Sequence, residues 1–168
     1  MVAPPTRGDR VNGSLRPMDF ADWKVGDEVS LRKEFTSADI DAFARLSGDF
    51  NPLHLDDEFA QGTRLRRRIA HGMLSASYVS MLIGMQLPGP GALWLQQRFD
   101  FVGPIFIGDC VEFRVWVEHK SEATQTLVIR VEGKNQRRAV VLRGEGKVMV
   151  LAREKTAPAG VPGGVGRA

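Results

Sequence analysis

A single α+β domain is the fold class this sequence predicts, and three observations carry it. The run HGMLSASYVSMLIGMQL at 71–87 is apolar nearly all round for about four helical turns, the signature of a buried helix. From residue 93 onward the hydrophobic period drops to two, in LWLQQRFDF at 93–101, CVEFRVWVEHK at 110–120, TQTLVIRVEG at 124–133 and RAVVLRGEGKVMVL at 138–151, which predicts antiparallel strands joined by short turns. The chain has 168 residues and no internal repeat, enough for one core of ordinary size. One apolar helix and one antiparallel sheet bury each other best when the sheet curls around the helix, and that is the architecture expected.

In chain order, residues 1–17 and 153–168 are rich in Pro, Gly, Ala and Arg without apolar rhythm, so they read as mobile tails around one ordered domain at 18–152. VGDEVSLRKEF at 25–35 alternates as a strand. Thr36, followed three residues later by Asp39, forms a capping-box pattern, and Ile40, Phe43 and Ala44 recur at helical spacing. A helix is predicted over 37–47, ended by Gly48. Pro52 keeps Asn51 out of the helical region, so Asp49 and His54 flank a forced break in the chain. DDEFAQ at 56–61 predicts a short helical turn closed by Gly62. Pro88, Gly89, Pro90 and Gly91 stop the buried helix. In 110–120, Val111, Phe113, Val115 and Val117 alternate with Cys110, Glu112, Arg114, Trp116 and Glu118, the pattern of a half-solvated sheet.

Composition narrows the function classes. Hydrophobic residues at 43% and charged residues at 26% are ordinary globular values, which argues against a disordered or fibrous chain. No apolar run reaches the ~20 residues of a membrane helix, and MVAPPTRGDR lacks the apolar core of a secretion signal, so no membrane partner and a cytoplasmic setting are expected. The single cysteine, Cys110, allows no internal disulfide and reads as a small half-buried strand residue rather than a reactive thiol. The formal net charge of +3 gathers in RLRRR at 64–68 and KNQRR at 134–138. Neither cluster interleaves aromatic residues, so no nucleic-acid partner is expected. KNQRR reads as a solvated loop, and RLRRR as either a solvated face or a site for a small anionic molecule.

Two stretches carry chemistry. SGDFNPLH at 47–54 places a carboxylate and an imidazole on either side of a forced turn. If the turn folds His54 back, Asp49 and His54 can hold one water between them and add or remove it, as a tuned acid–base pair beside an apolar core does. AHGMLSA at 70–76 opens the buried helix with His71 and Gly72. Free N–H groups at a helix start stabilise negative charge, and glycine lets a substrate oxygen approach, so the Gly72 N–H is a candidate donor to an oxyanion. The plainer readings are that His71 caps or packs and that Gly72 relieves a crowded helix start. No Gly-rich phosphate loop with the right context is present, and the histidines at 54, 71 and 119 lack metal-ligand spacing, so neither a cofactor nor a metal is expected.

Together, AFARLSGDFNPLHLDDEFA at 42–60 and RIAHGMLSASYVSMLIG at 68–84 closely resemble the MaoC-like, R-specific enoyl-CoA hydratases. The resemblance covers about 20–151, and its first motif, A-x-x-S-G-D-x-N-P-L-H, is long and specific. It implies the hot dog fold, in which a curled antiparallel sheet wraps a long central helix, usually paired into a homodimer. It also implies reversible hydration of a trans-2-enoyl-CoA thioester to an (R)-3-hydroxyacyl-CoA. By that resemblance Asp49 and His54 are the hydration pair and Gly72 supplies its N–H to the thioester oxygen. Asn51 shapes the loop or touches the pair, and Ser80 matches a polar residue that orients the aspartate. Coenzyme A phosphates give the basic loop a role, with Arg66 and Arg67 as binding candidates among Arg64 to Arg68; Arg68 stands where the family often carries proline. Leu82, Ile83 and Met85 are candidates to line an acyl tunnel. The rival readings are a 3-hydroxyacyl dehydratase acting on acyl-carrier protein, a hot dog thioesterase, and a non-catalytic acyl-CoA-binding module.

Overall fold

The computed structural model describes residues 19–151, together with a short antiparallel pair formed by β1 (Arg10–Val11) and β2 (Ser14–Leu15). Apart from that pair, the tails expected at 1–17 and 153–168 lie outside the described residues. A 3-10 turn at Phe20–Asp22 leads into β3 (Glu28–Glu34). Four helices follow: α1 (Ser37–Ser47), α2 (Pro52–Leu55), α3 (Asp57–Gly62) and α4 (Gly72–Met85). The chain then runs through β4 (Ala92–Phe101), β5 (Cys110–Ser121), β6 (Thr126–Lys134) and β7 (Val140–Val150).

The five long strands form one antiparallel sheet in the order β3-β5-β6-β7-β4, so β3 and β4 are its edges. Their alternation decides which face is dry. Val111, Phe113, Val115 and Val117 of β5 and Leu127, Ile129 and Val131 of β6 are buried against Leu74, Val79, Leu82 and Ile83 of α4. Burying each such side chain contributes about 1.5–3 kcal/mol, which makes this layer the main source of stability. The opposite face of the sheet is a ladder of cross-strand charges, among them Arg32 with Glu112 and Arg130 with Glu118 and Glu145.

The expectation of a helix buried all round is corrected by the structure. α4 buries Leu74, Ser75, Ala76, Val79, Leu82 and Ile83, while Met73, Ser77, Ser80, Gly84 and Met85 lie along an exposed stripe. A single five-stranded sheet covers one side of a helix, so the other side stays open in one chain. No helix among the described residues is long and apolar enough to cross a membrane.

α1 begins and ends where its local signals put it. The Thr36 Oγ1 accepts from the Asp39 N–H at 3.2 Å, the Thr36 N–H donates to the Asp39 Oδ2 at 2.9 Å, and Gly48 closes the helix at φ 77°. That left-handed glycine turns the chain into the segment carrying Asp49 and His54. The segment 68–70 then ties this region to the rest: the Ile69 N–H donates to the Leu53 carbonyl at 3.4 Å and the Ala70 N–H to the Ile105 carbonyl at 2.8 Å.

Candidate active site

The loop after α1 is built from short side-chain-to-backbone bonds. Asp49 Oδ1 accepts from the Asn51 N–H at 3.2 Å, and Asn51 Oδ1 accepts from the Leu53 N–H at 3.0 Å, making Asn51 the N-cap of α2. The Asn51 carbonyl accepts from the His54 N–H at 2.9 Å. Asn51 therefore shapes the turn that carries His54 back toward the start of α4. Arg68 braces the same region, with its Nε on Asp57 at 2.9 Å, its Nη1 on the Leu55 carbonyl at 3.3 Å and its Nη2 on the Ser37 Oγ at 3.5 Å.

These contacts bring three groups together. A carboxylate oxygen of Asp49 and one ring nitrogen each from His54 and His71 lie within 4.8 Å of one another. Sequence spacing alone shows no ligand-like arrangement of the histidines, and the fold brings two of them beside one carboxylate. The nitrogens are partly committed. His54 Nδ1 lies 2.9 Å from the Ile69 carbonyl, and His71 Nε2 lies 3.0 Å from the Asp49 main-chain carbonyl. A carbonyl can only accept, so both nitrogens carry protons, and in the neutral His54 ring Nε2 is left as a free acceptor. Burial pushes the His54 pKa below its ordinary value, and His71 adds to the effect, while the Ile69 carbonyl and the Asp49 charge work the other way.

His54, His71 and Gly72 line one side of a cavity of about 420 Å³, and Leu65, Phe101, Val102, Ile105 and Val141 give it apolar walls. Gly72 is the first residue of α4, so its N–H belongs to the group of helix-start donors without an intrahelical partner. A Cβ placed there would sit 3.1–3.3 Å from the Phe101 ring, so the residue type keeps this corner open. A proton-transfer pair, an apolar chamber and a helix-start donor can together add a nucleophilic water beside a carbonyl and stabilise the negative charge that develops. A larger hollow of about 640 Å³ lies over Gly144 and Gly146 on the charged face of the sheet, where Arg130 and Glu145 already pair with each other.

Other candidates fall elsewhere. Ser80 is exposed and makes no hydrogen bond to Asp49 among the described residues. With ~1.5 Å of rise per residue it lies about 12 Å along α4 from Gly72. Arg66 and Arg67 do not line the cavity: the Arg66 Nη1 donates to the Gln61 carbonyl at 3.1 Å, and the Arg67 Nη2 donates to the Ile107 carbonyl at 3.2 Å with its guanidinium over the Phe106 ring. Arg64 is the member of that cluster at the cavity. Leu82 and Ile83 are core residues and Met85 is exposed, because the cavity opens at the other end of α4. His71 and Ser75, both buried at the site, were not among the candidates; the only sequence signal for His71 is its place before Gly72.

Comparison with known proteins agrees on one family. The MaoC like domain matches residues 22–138. An (R)-specific enoyl-CoA hydratase of Rhodospirillum rubrum is 44% identical over 138 residues, covering 80% of this chain and 92% of that protein. A 3-hydroxybutyryl-CoA dehydratase of Methylorubrum extorquens is 39% identical over 160 residues, covering 92% and 98%. Among solved structures, the (R)-hydratase from A. caviae involved in PHA biosynthesis superposes with a TM-score of 0.75 at 42% identity, covering 77% of this chain and 98% of that one.

Proposed function

Because this chain belongs to the MaoC-like domain family, with the hot dog fold of its structural neighbours, we propose that it reversibly hydrates trans-2-enoyl-CoA to (R)-3-hydroxyacyl-CoA. The observation that carries this reading is the convergence of Asp49, which is exposed, on His54, which lines one cavity with Gly72. Two polar atoms within 4.8 Å can share one water, since each bond to it spans about 2.8 Å. The Asp49–His54 pair removes a proton from that water as its oxygen forms the bond to C3. The electrons of the double bond move toward the thioester oxygen, where the Gly72 N–H stabilises the enolate. Returning the proton to C2 completes the addition, and the reverse sequence eliminates water. Asn51 holds the loop that presents both groups.

Arg64, at the cavity rim and without an ion-pair partner among the described residues, meets a phosphate of coenzyme A; Arg66 and Arg67 fasten loops. The functional unit is a homodimer in the cytoplasm. Supporting the dimer, β4 is an edge strand carrying exposed Leu93 and Leu95, and α4 exposes Met73 and Met85.

The test is the loss of conjugated enoyl-thioester absorbance when purified protein meets crotonyl-CoA, with chiral analysis of the product. Loss of absorbance and an R alcohol are expected. Release of free thiol instead would identify a thioesterase, and binding without either change would identify a non-catalytic module. Faster turnover of the carrier-protein thioester than of the CoA thioester would move the assignment to a carrier-protein dehydratase.

A further inference from the structure

We infer that His71 is the positioning residue of the site, holding Asp49 by its main chain and His54 by its ring so that the two keep one geometry. His71 is 2% exposed, and its ring lies 3.9 Å from that of His54 between centroids, inclined at 34°. On its other side Phe43 of α1 packs at 5.1 Å. Its Nε2 donates to the Asp49 carbonyl, and its Nδ1 is buried without a hydrogen-bond partner. A buried imidazole that leaves one nitrogen unpaired is costly as a packing residue, since that atom gives up its hydration without gaining a hydrogen bond in return. The other nitrogen holds the main chain of Asp49, and the ring bears on the ring of His54. His71 is also the N-cap of α4, so the Gly72 N–H, Asp49 and His54 are referred to one rigid element. The charged group beside the two rings is Asp49, and Arg64 lines the same cavity; α1 offers Phe43, α4 Ser75 and β4 Phe101, none of them ionised near neutral pH.

This inference rests on the acid–base reading of Asp49 and His54. Its test is steady-state hydration of crotonyl-CoA across pH by the full chain carrying His71→Phe or His71→Gln. Phenylalanine keeps a ring against His54 and Phe43 but offers no donor to the Asp49 carbonyl; glutamine keeps a donor and removes the ring. His71→Phe is expected to lower kcat by about 10–10², the scale of a misplaced reacting group, with KM within about twofold and an unchanged unfolding temperature. His71→Gln is expected to turn over faster than His71→Phe at neutral pH, with KM again within about twofold of the parent. An undiminished kcat in His71→Phe, or no recovery in His71→Gln, overturns the role. If His71→Phe does not fold, His71→Leu, which also offers no donor to the Asp49 carbonyl, takes its place in the comparison with His71→Gln. Full activity in Asp49→Asn or His54→Ala would instead sink the acid–base reading itself, whereas slow Asp49 and His54 variants beside a fast His71→Phe sink only the part given to His71.

Discussion

In the proposed hydration, Asp49 and His54 are two ordinary side chains that take their task from their surroundings. Asp49 spends one oxygen on a neighbouring N–H, and His54 spends Nδ1 on a carbonyl, so each enters the site with its orientation set and one acceptor to spare. Asp49→Asn and His54→Ala are each expected to lower turnover by at least ~10², the usual scale of a general acid–base group, in the enoyl-CoA assay. The direction of the His54 shift fixes a pH dependence. Its ring is held below the ordinary value of about 6.5, chiefly by burial, so the free acceptor survives to lower pH and the acid limb of kcat/KM is expected below that value. For stability the sign is the same: the unfolded chain binds this proton at higher pH than the folded one, so folding weakens as pH falls from the ordinary histidine value toward the folded one. Thermal unfolding across that window checks it, and His54→Gln should flatten the dependence.

Elements place these residues, and α1 does so through its two ends. Thr36→Ala removes the acceptor for the Asp39 N–H and is expected to cost ~0.5–2 kcal/mol in denaturant unfolding. Asp39 is held below its ordinary pKa: burial opposes this, but the Thr36 hydroxyl and N–H and the Lys33 ammonium outweigh it. Its contribution is therefore present above the unfolded value and lost as pH falls through the folded one. The start of α4 is the second placement. Gly72→Ala should lower turnover by about 10–10², because its Cβ must displace the Phe101 ring and stands where substrate approaches the N–H. The element boundaries of α1, α3 and the strands were legible because caps, glycines and period-two alternation are local signals. α2, with four residues, was not, since one turn of helix carries no period of its own.

At the scale of the whole molecule, one sheet and one helix leave surface that a single chain does not use. The exposed stripe of α4 and the edge of β4 lead to the expectation that sedimentation equilibrium returns the mass of two chains; a monomer with full hydratase activity would contradict it. Ser80 belongs to the same exposed stripe and makes no hydrogen bond to Asp49 among the described residues. Arg66 and Arg67 were indistinguishable from Arg64 in RLRRR, because a run of like residues does not reveal which one a loop turns inward. The residues by themselves determined the local geometry: the capped start of α1, the left-handed Gly48, the proline after Asn51 and the alternation that makes one face of the sheet dry. Each depends on neighbours a few positions away. Only the tertiary structure decided that His71 would lie against His54 and hold the Asp49 carbonyl, because that meeting depends on bonds from Ile69 and Ala70 to Leu53 and Ile105, and no local preference encodes a contact between distant segments.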